Sequence, residues 1–147
     1  MVTITPLQPQ DRTDWLALWN GYLTFYESEI DQATTDATFD RLTRDAELHG
    51  AIARDDDGRA VGIVHWLTHP ATWTRSDYCY LEDLFVSTKA RGAGTGEALI
   101  EHVREWAVRN GSAKVYWLTA ESNETARRLY DRVADRSGFI HYQIRMP

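Results

Sequence analysis

Residues 80–96 read YLEDLFVSTKARGAGTG, and the rest of the architecture can be built around them. The first half belongs to a predicted strand, Tyr78–Val86, because aromatic and branched side chains favour extended backbone. The second half places glycines at 92, 94 and 96 where a helix, Gly94–Asn110, is predicted to begin. Backbone amides of such a turn, with the positive end of the helix dipole, attract an anion. The segment therefore predicts a strand, a pyrophosphate-binding turn and a helix.

Two better-known phosphate-binding motifs do not fit this turn. A dinucleotide-binding fingerprint starting at Gly92 requires a third glycine where Glu97 stands, and an acidic residue about 20 positions on, near Lys114. A P-loop requires Gly-Lys-Ser/Thr at the helix start, which this sequence lacks. A glycine turn without a ligand is the alternative that the loop alone leaves open.

Away from this segment the chain alternates between strands and helices. Strands are predicted at Val2–Thr5, Ile52–Arg54, Ala60–Leu67, Tyr78–Val86, Lys114–Thr119 and Phe139–Arg145. Besides Gly94–Asn110, helices are predicted to begin at Asp11 or Thr13, at Thr35 or Asp36 (ending near Gly50), and at Asn123. Asp55–Gly58 predicts a hairpin turn. We expect one α/β (α+β) domain over residues 1–147, with a mixed, mostly antiparallel twisted sheet flanked by about four helices.

Composition excludes several classes of protein. No apolar run reaches the roughly 18 residues that would span a bilayer, and the N-terminus lacks a signal-peptide pattern, so we expect a cytoplasmic protein without membrane contact. Cys79 is the only cysteine and is interpreted as a buried strand residue. The five histidines lack metal-ligand spacing, so no metal is expected. Lys and Arg form no cluster suited to nucleic acid.

Charge is distributed unevenly along the chain. Residues 1–58 carry 12 acidic and 4 basic side chains, whereas residues 59–147 carry 10 acidic and 12 basic ones. An acidic N-terminal part would attract a cationic substrate, and the remainder would tolerate an anionic one. A solvated acidic surface explains the same counts.

Two motifs give the sequence a family resemblance. Arg91, Gly94 and Gly96 fill the pattern Arg-x-x-Gly-x-Gly behind the strand ending at Val86, and Asn123–Tyr130 reads Asn-x-x-Ala-x-x-Leu-Tyr. Together they resemble the GNAT superfamily of N-acetyltransferases, especially its spermidine/spermine and Hpa2-like branches. Seven residues separate Tyr130 from Gly138, where many members have three or four, which predicts a last helix about one turn longer.

The resemblance implies acetyl-CoA as the cofactor and assigns residues to it. Backbone groups of Leu84, Phe85 and Val86 would pair with the pantetheine arm like an added strand, which Asn123 would approach from the opposite wall. The remaining predicted cofactor-binding residues are Arg91, Gly92, Ala93, Gly94, Thr95 and Gly96.

Amide formation needs a proton acceptor for the ammonium group and a proton donor for the departing thiolate. Glu82 is the predicted base, and Tyr130, by its place in the second motif, the predicted acid. Strict alternation puts Glu82 on the opposite strand face from Asp83, so both reach one cleft only if the strand contains a bulge. A paired surface carboxylate and a core aromatic are the alternatives for Glu82 and Tyr130.

The acceptor side is predicted from composition. Tyr26 and Glu27, near the end of the first helix beside Tyr22 and Glu29, suit a cationic amine; for Tyr22, core packing is favoured. A small primary amine is the favoured acceptor: a polyamine, an amino acid or a similar molecule. A protein lysine or N-terminus, and a non-catalytic coenzyme A-binding module, are the alternatives. The resemblance implies a homodimer.

Overall fold

The computed structural model describes residues 1–147, with four α-helices and five strands. The strands are β1 (Thr3–Pro6), β2 (Leu48–Arg54), β3 (Ala60–His69), β4 (Tyr78–Val86) and β5 (Val115–Tyr116). The helices are α1 (Arg12–Phe25), α2 (Gln32–Arg44), α3 (Thr95–Arg109) and α4 (Glu124–Val133). None of the helices combines the length and the apolar character needed to cross a membrane.

The five strands form one mixed sheet in the order β1-β2-β3-β4-β5. The first four are antiparallel neighbours, and β5 runs parallel to β4. The parallel pair is very short, since it joins only Cys79 to Val115 and Tyr80 to Tyr116. Beyond Tyr80, this edge of β4 therefore has no strand beside it.

Two apolar cores cover the two faces of the sheet. On one face, Trp15 and Trp19 of α1 pack with Phe39 of α2 and with Ile52 and Ile63. On the other face, α3 contributes Leu99, Ile100, Val103 and Ala107. Removing this apolar surface from water is the main stabilising term of the fold. The result is a three-layer arrangement in which β4 lies between α1 and α3.

Several local predictions are confirmed. The Asp55–Gly58 turn joins β2 to β3, and the Asp55 carboxylate accepts hydrogen bonds from the amides of Asp57 and Arg59, both at 2.9 Å. Strand β4 has the predicted bounds. Helix α3 begins after Gly94 and ends before Gly111, both in the left-handed conformation that glycine tolerates. The mixed, mostly antiparallel sheet with four helices is as expected.

Other boundaries were predicted wrongly. Helix α2 begins at Gln32, because the Asp31 side chain accepts from the Thr34 amide at 2.7 Å and caps the helix earlier than Thr35 or Asp36 would. The helix ends at Arg44 instead of near Gly50, since β2 begins at Leu48 and pairs with β3 along its length. Strand β5 is much shorter than Lys114–Thr119, because it diverges from β4 after two residue pairs, Cys79 with Val115 and Tyr80 with Tyr116.

The predicted strand Phe139–Arg145 is not formed. Residues 134–147 are exposed and have no strand partner, and their side-chain hydrogen bond runs from the Phe139 amide to Ser137 Oγ within the segment. Alternating apolar residues favour extended backbone, but a strand also needs a ladder of hydrogen bonds to a neighbour, and this segment pairs with none of the five strands. Helix α4 is not lengthened either: it ends at Val133, and the additional residues before Gly138 are non-helical.

Candidate active site

A β-bulge in β4 organises the site. The β3–β4 register pairs His65 with Asp83 and then Trp66 with Leu81, so Glu82 is the extra residue. Before the bulge, Cys79 and Leu81 pack on the α3 side of the sheet. After it, the residues on this side are Leu84 and Val86, where a regular strand would have placed Asp83 and Phe85. Phe85 now packs on the α1 side. The condition stated for both carboxylates to serve one site, a bulge in this strand, is therefore met.

Glu82 and Asp83 form an acidic pair. The pKa of Glu82 is raised first by burial and then by the charge of Asp83. Although Glu82 keeps solvent access, aromatic rings surround its carboxylate, which explains the desolvation. Two carboxylates this close oppose each other's ionisation, so one of them is biased towards binding a proton. The structure biases Glu82 in this way.

Two pairs of tyrosines flank the acidic pair. Tyr22 and Tyr26 of α1 have ring centroids 5.0 Å apart, and after burial the charge of Asp83 is the next cause that raises the pKa of both hydroxyls. Tyr80 and Tyr116 have centroids 4.9 Å apart. Burial and then Glu82 raise the pKa of Tyr80 to about 12, and the same two causes raise that of Tyr116. All four hydroxyls are therefore neutral donors around an anionic centre.

The glycine turn between β4 and α3 presents backbone to open space. Gly92 and Gly94 have φ of 84° and 80°, and a side chain added at either would meet no atom within 4 Å. The first amides of α3 have no partner within the helix, so they remain available to an anion. Glu97, the acidic residue of this first turn, lies 3.3 Å from Arg132 of α4, which offsets its charge.

The turn forms one end of a cleft of about 510 Å³. The cleft is lined by nine of the predicted cofactor-binding residues: Leu84, Phe85, Val86, Arg91, Gly92, Gly94, Thr95, Gly96 and Asn123. Ala93 lies in the same exposed turn without lining the cleft. Because β5 diverges from β4, the backbone edge of Leu84–Val86 faces this space instead of another strand. An extended ligand arm could pair there as a strand does.

Helix α4 forms the opposite wall. Asn123 caps it as predicted, with its side-chain oxygen 3.4 Å from the Ala126 amide. Tyr130 lines the cleft and packs against Trp117, with ring centroids 5.4 Å apart. Burial, followed by the effect of Tyr26, raises the pKa of Tyr130 to about 12. Its hydroxyl is therefore protonated at neutral pH.

The structure brings some predicted acceptor residues together and separates others. Tyr26 lines the cleft and lies near Asp83, so it connects the cofactor side to the acidic pair. Glu27 lies in the exposed turn after α1, with φ of 51°, and is not part of the cleft lining. Tyr22, for which core packing was favoured, also lines the cleft.

The sequence analysis did not identify Tyr80 and Tyr116 as neighbours of Glu82, and it did not identify His65 as a neighbour of Asp83. His65 lies in the middle of β3, opposite Asp83, and has no local pattern that would separate it from an ordinary core residue. The bulge at Glu82 fixes that pairing, and a bulge has no reliable signal in one sequence. Within the structure, no group of three or more His, Cys, Asp or Glu side chains is placed to hold a metal ion.

Comparison with known proteins places this geometry in context. The model of the acetyltransferase (GNAT) family matches residues 15–134. The D-amino-acid N-acetyltransferase HPA3 of Saccharomyces cerevisiae is 33% identical over 144 residues, which cover 97% of this chain and 89% of the yeast protein.

Solved structures share the fold. The ribosomal-protein-alanine N-acetyltransferase of Brucella melitensis matches with a TM-score of 0.82 at 24% identity, covering 99% of this chain and 100% of that one. The acetyltransferase AAC(6')-Iy, solved with a bisubstrate analogue containing CoA, matches with a TM-score of 0.84 at 18% identity and 99% coverage of both chains.

Proposed function

The chain belongs to the GNAT family of acetyltransferases, acetyl-CoA-dependent N-acetyltransferases, and we propose that it acetylates the primary amine of a small molecule. One observation carries the proposal: an acidic pair, Glu82 and Asp83, lies among tyrosines, of which Tyr22 and Tyr26 line the cleft. Aromatic faces and carboxylates bind an ammonium group through cation–π and ionic contacts. The yeast relative, named for D-amino acids, supports amino acids as the first acceptors to test.

The residues of the glycine turn fit coenzyme A. Open space outside Gly92 and Gly94, with free amides at the start of α3, suits a diphosphate. The buried hydroxyl of Thr95 at the same helix start has no hydrogen-bond partner within the protein. We assign the diphosphate to residues 91–96 and the pantetheine arm to the edge Leu84–Val86, with Asn123 opposite. When bound, acetyl-CoA supplies the acetyl group as an activated thioester.

Glu82 would act as the base. An ammonium acceptor must lose a proton before its nitrogen can attack, and a carboxylate with a raised pKa accepts that proton more readily than an ordinary one. The proton passes from the nitrogen to Glu82, directly or through water. The adjacent Tyr80 hydroxyl favours the ionised carboxylate and so lowers the pKa of Glu82 against the other causes.

Tyr130 would assist the leaving thiolate. With a pKa of about 12, its hydroxyl is less acidic than a thiol, whose ordinary pKa is about 8.5. Complete proton transfer to sulfur is therefore uphill, and a hydrogen bond to the developing negative charge is the better description of its role. This contribution is smaller than that of a full proton donor.

The experiment is an acetyltransfer assay that follows free thiol release. Acetyl-CoA is incubated separately with D-amino acids, L-amino acids, spermidine and a lysine-containing peptide, and mass spectrometry identifies each product. We expect turnover with a small amine and little with the peptide. Efficient acetylation of the peptide alone would replace the small-molecule proposal with a protein acetyltransferase, and no thiol release with any acceptor would refute it.

Tyr130→Phe is expected to lower kcat by about 10- to 100-fold, the value of one hydrogen bond to a charged group. The affinity for coenzyme A should change little, because the ring is retained. Tyr78→Phe, at the start of β4 and outside the cleft lining, is the matched control and should behave like the wild type. An unchanged kcat in Tyr130→Phe would show that Tyr130 is a packing residue.

We also propose that the protein is a homodimer and that residues 134–147 contribute to its interface. Within one chain, Phe139, Ile140, Tyr142, Ile144 and Met146 are 74–90% exposed. Ile140, Tyr142, Ile144 and Met146 alternate with other residues, so they would share one face if the segment became extended against a partner. A continuous apolar strip of this kind supports burial against a second copy.

Sedimentation of the full chain tests the dimer. The wild type is expected at twice the mass of one chain, and Tyr142→Asp/Ile144→Asp should sediment as a monomer because two charges would have to be buried. Val108→Asp, on the exposed surface of α3, is the control and should remain dimeric. A monomeric wild type at micromolar concentration contradicts the proposal.

A further inference from the structure

A chain of buried hydrogen bonds leads from the core to the acidic pair. Trp15 Nε1 donates to His65 Nε2 at 3.0 Å, and His65 Nδ1 lies 2.9 Å from Asp83 Oδ2. An indole N–H can only donate, so His65 Nε2 must accept and the imidazole carries its hydrogen on Nδ1. That hydrogen is donated to Asp83. The tautomer of His65 is thus set by a tryptophan that is fully buried.

The hydrogen-bonded residues Trp15, His65 and Asp83, here called the relay, are fixed by packing. Trp15 stacks on Trp19 with centroids 5.5 Å apart, and Trp19 lies 5.5 Å from the His65 ring. Trp15 comes from α1, His65 from β3 and Asp83 from β4, so the relay joins one helix to two neighbouring strands of the sheet. Trp15 and His65 have almost no exposure, whereas the Asp83 side chain retains 17%. The relay therefore ends at the one member that a ligand can reach.

Asp83 and Glu82 are held in different ways. Asp83 accepts the hydrogen bond from His65 and is fixed in orientation by it. Its negative charge raises the pKa of Glu82, Tyr22 and Tyr26. Glu82 has no comparable partner in the core. The Asp83 carboxylate, fixed by His65, is therefore suited to binding, whereas Glu82, with its raised pKa, is suited to exchanging a proton.

We propose that Asp83 is the anchor that binds the acceptor's ammonium group, and that His65 and Trp15 are positioning residues that hold its carboxylate. This inference rests on the proposed function, in which Glu82 takes the proton. Acetylation converts the ammonium into a neutral amide, so the attraction to Asp83 disappears when the product forms. The anchor therefore favours the substrate over the product. A relay that served only to satisfy buried polar groups would not need to end at a carboxylate that keeps solvent access.

The test compares three variants with the panel acceptor that the wild type turns over fastest. His65→Leu removes the donor to Asp83, whereas His65→Asn replaces it with an amide N–H, and Asp83→Asn removes the charge. We expect His65→Leu and Asp83→Asn to raise KM for the amine at least about tenfold, with kcat changed less than about threefold. His65→Asn should restore KM to within about threefold of the wild type. Affinity for coenzyme A should be unchanged in all three.

Other outcomes are equally decisive. A purely structural relay would lower kcat, coenzyme affinity and thermal stability together, without rescue by His65→Asn, and would overturn the inference. Unchanged KM for the amine in Asp83→Asn would overturn it even if His65→Leu failed to fold, because Asn is isosteric with Asp at a partly exposed position. If the wild type acetylates an amine but either of these two outcomes is found, only the role of Asp83 as anchor is refuted. A wild type without activity towards any amine refutes the proposed function, and the anchor with it.

Discussion

Gly94→Glu is expected to weaken the binding of coenzyme A at least about 100-fold. A carboxylate about 5 Å from a diphosphate would cost about 3 kcal/mol at an effective dielectric constant of 20, and every tenfold loss of affinity corresponds to about 1.4 kcal/mol. Gly94 also has φ of 80°, so a side chain there strains the turn that presents the amides of α3. Titration calorimetry with coenzyme A measures the loss directly.

Gly58→Glu is the matched control for this variant. Gly58 has φ of 81° and open space around its Cα, like Gly94, but lies in the β2–β3 turn. It should suffer the same backbone strain and retain coenzyme affinity. Gly94→Asn, a neutral residue that tolerates the left-handed region, should lose much less affinity than Gly94→Glu. Equal affinity in Gly94→Glu and the wild type would remove the diphosphate from residues 91–96.

Glu82→Gln is expected to lower kcat by about 10²- to 10⁴-fold, the usual contribution of a positioned base. Coenzyme affinity should remain near the wild-type value, because Glu82 does not line the cleft. Steady-state kinetics with the best panel amine provides the measurement. Glu101→Gln, an exposed glutamate of α3 paired with Arg104, is the control and should retain full activity. Wild-type turnover in Glu82→Gln would eliminate this residue as the base.

The pH profile gives an independent check on the same residue. A base works only when deprotonated, so activity should fall as the pH drops through the pKa of Glu82. Burial and Asp83 raise this pKa, which places the acidic limb above the ordinary value of 4.5. Asp83→Asn removes one cause and should move the limb to lower pH. Tyr80 and Tyr116 face Glu82 as neutral hydroxyls throughout this range. A limb that persists unchanged in Glu82→Gln would belong to another group.

The glycine turn before α3, to which we assign the diphosphate, could be predicted because its signals are local. The backbone at position 94 is left-handed, a conformation that glycine adopts without strain. The first amides of the helix that follows have no partner within the helix. The family resemblance rested on the same contiguous residues, and the comparisons confirm it. Local patterns also predicted the hairpin after β2 and the bounds of β4 and α3.

The acceptor side could not be predicted to the same depth. Asp83 meets His65 only because Glu82 is bulged out of β4, and Tyr80 meets Tyr116 only because β5 pairs briefly with β4. The C-terminal segment shows the same limit: its alternation predicted a strand, but residues 134–147 pair with no strand of the sheet.

The sequence by itself determined the helices, the first five strands, their order and the glycine turn before α3, since backbone conformation there depends on a few neighbouring residues. Only the tertiary structure decided which carboxylate reaches the core relay, which tyrosines surround the base and which strand edge stays open. Strand register explains the difference. A shift of one residue moves every following side chain to the other face, and that shift is fixed by contacts between segments far apart along the chain.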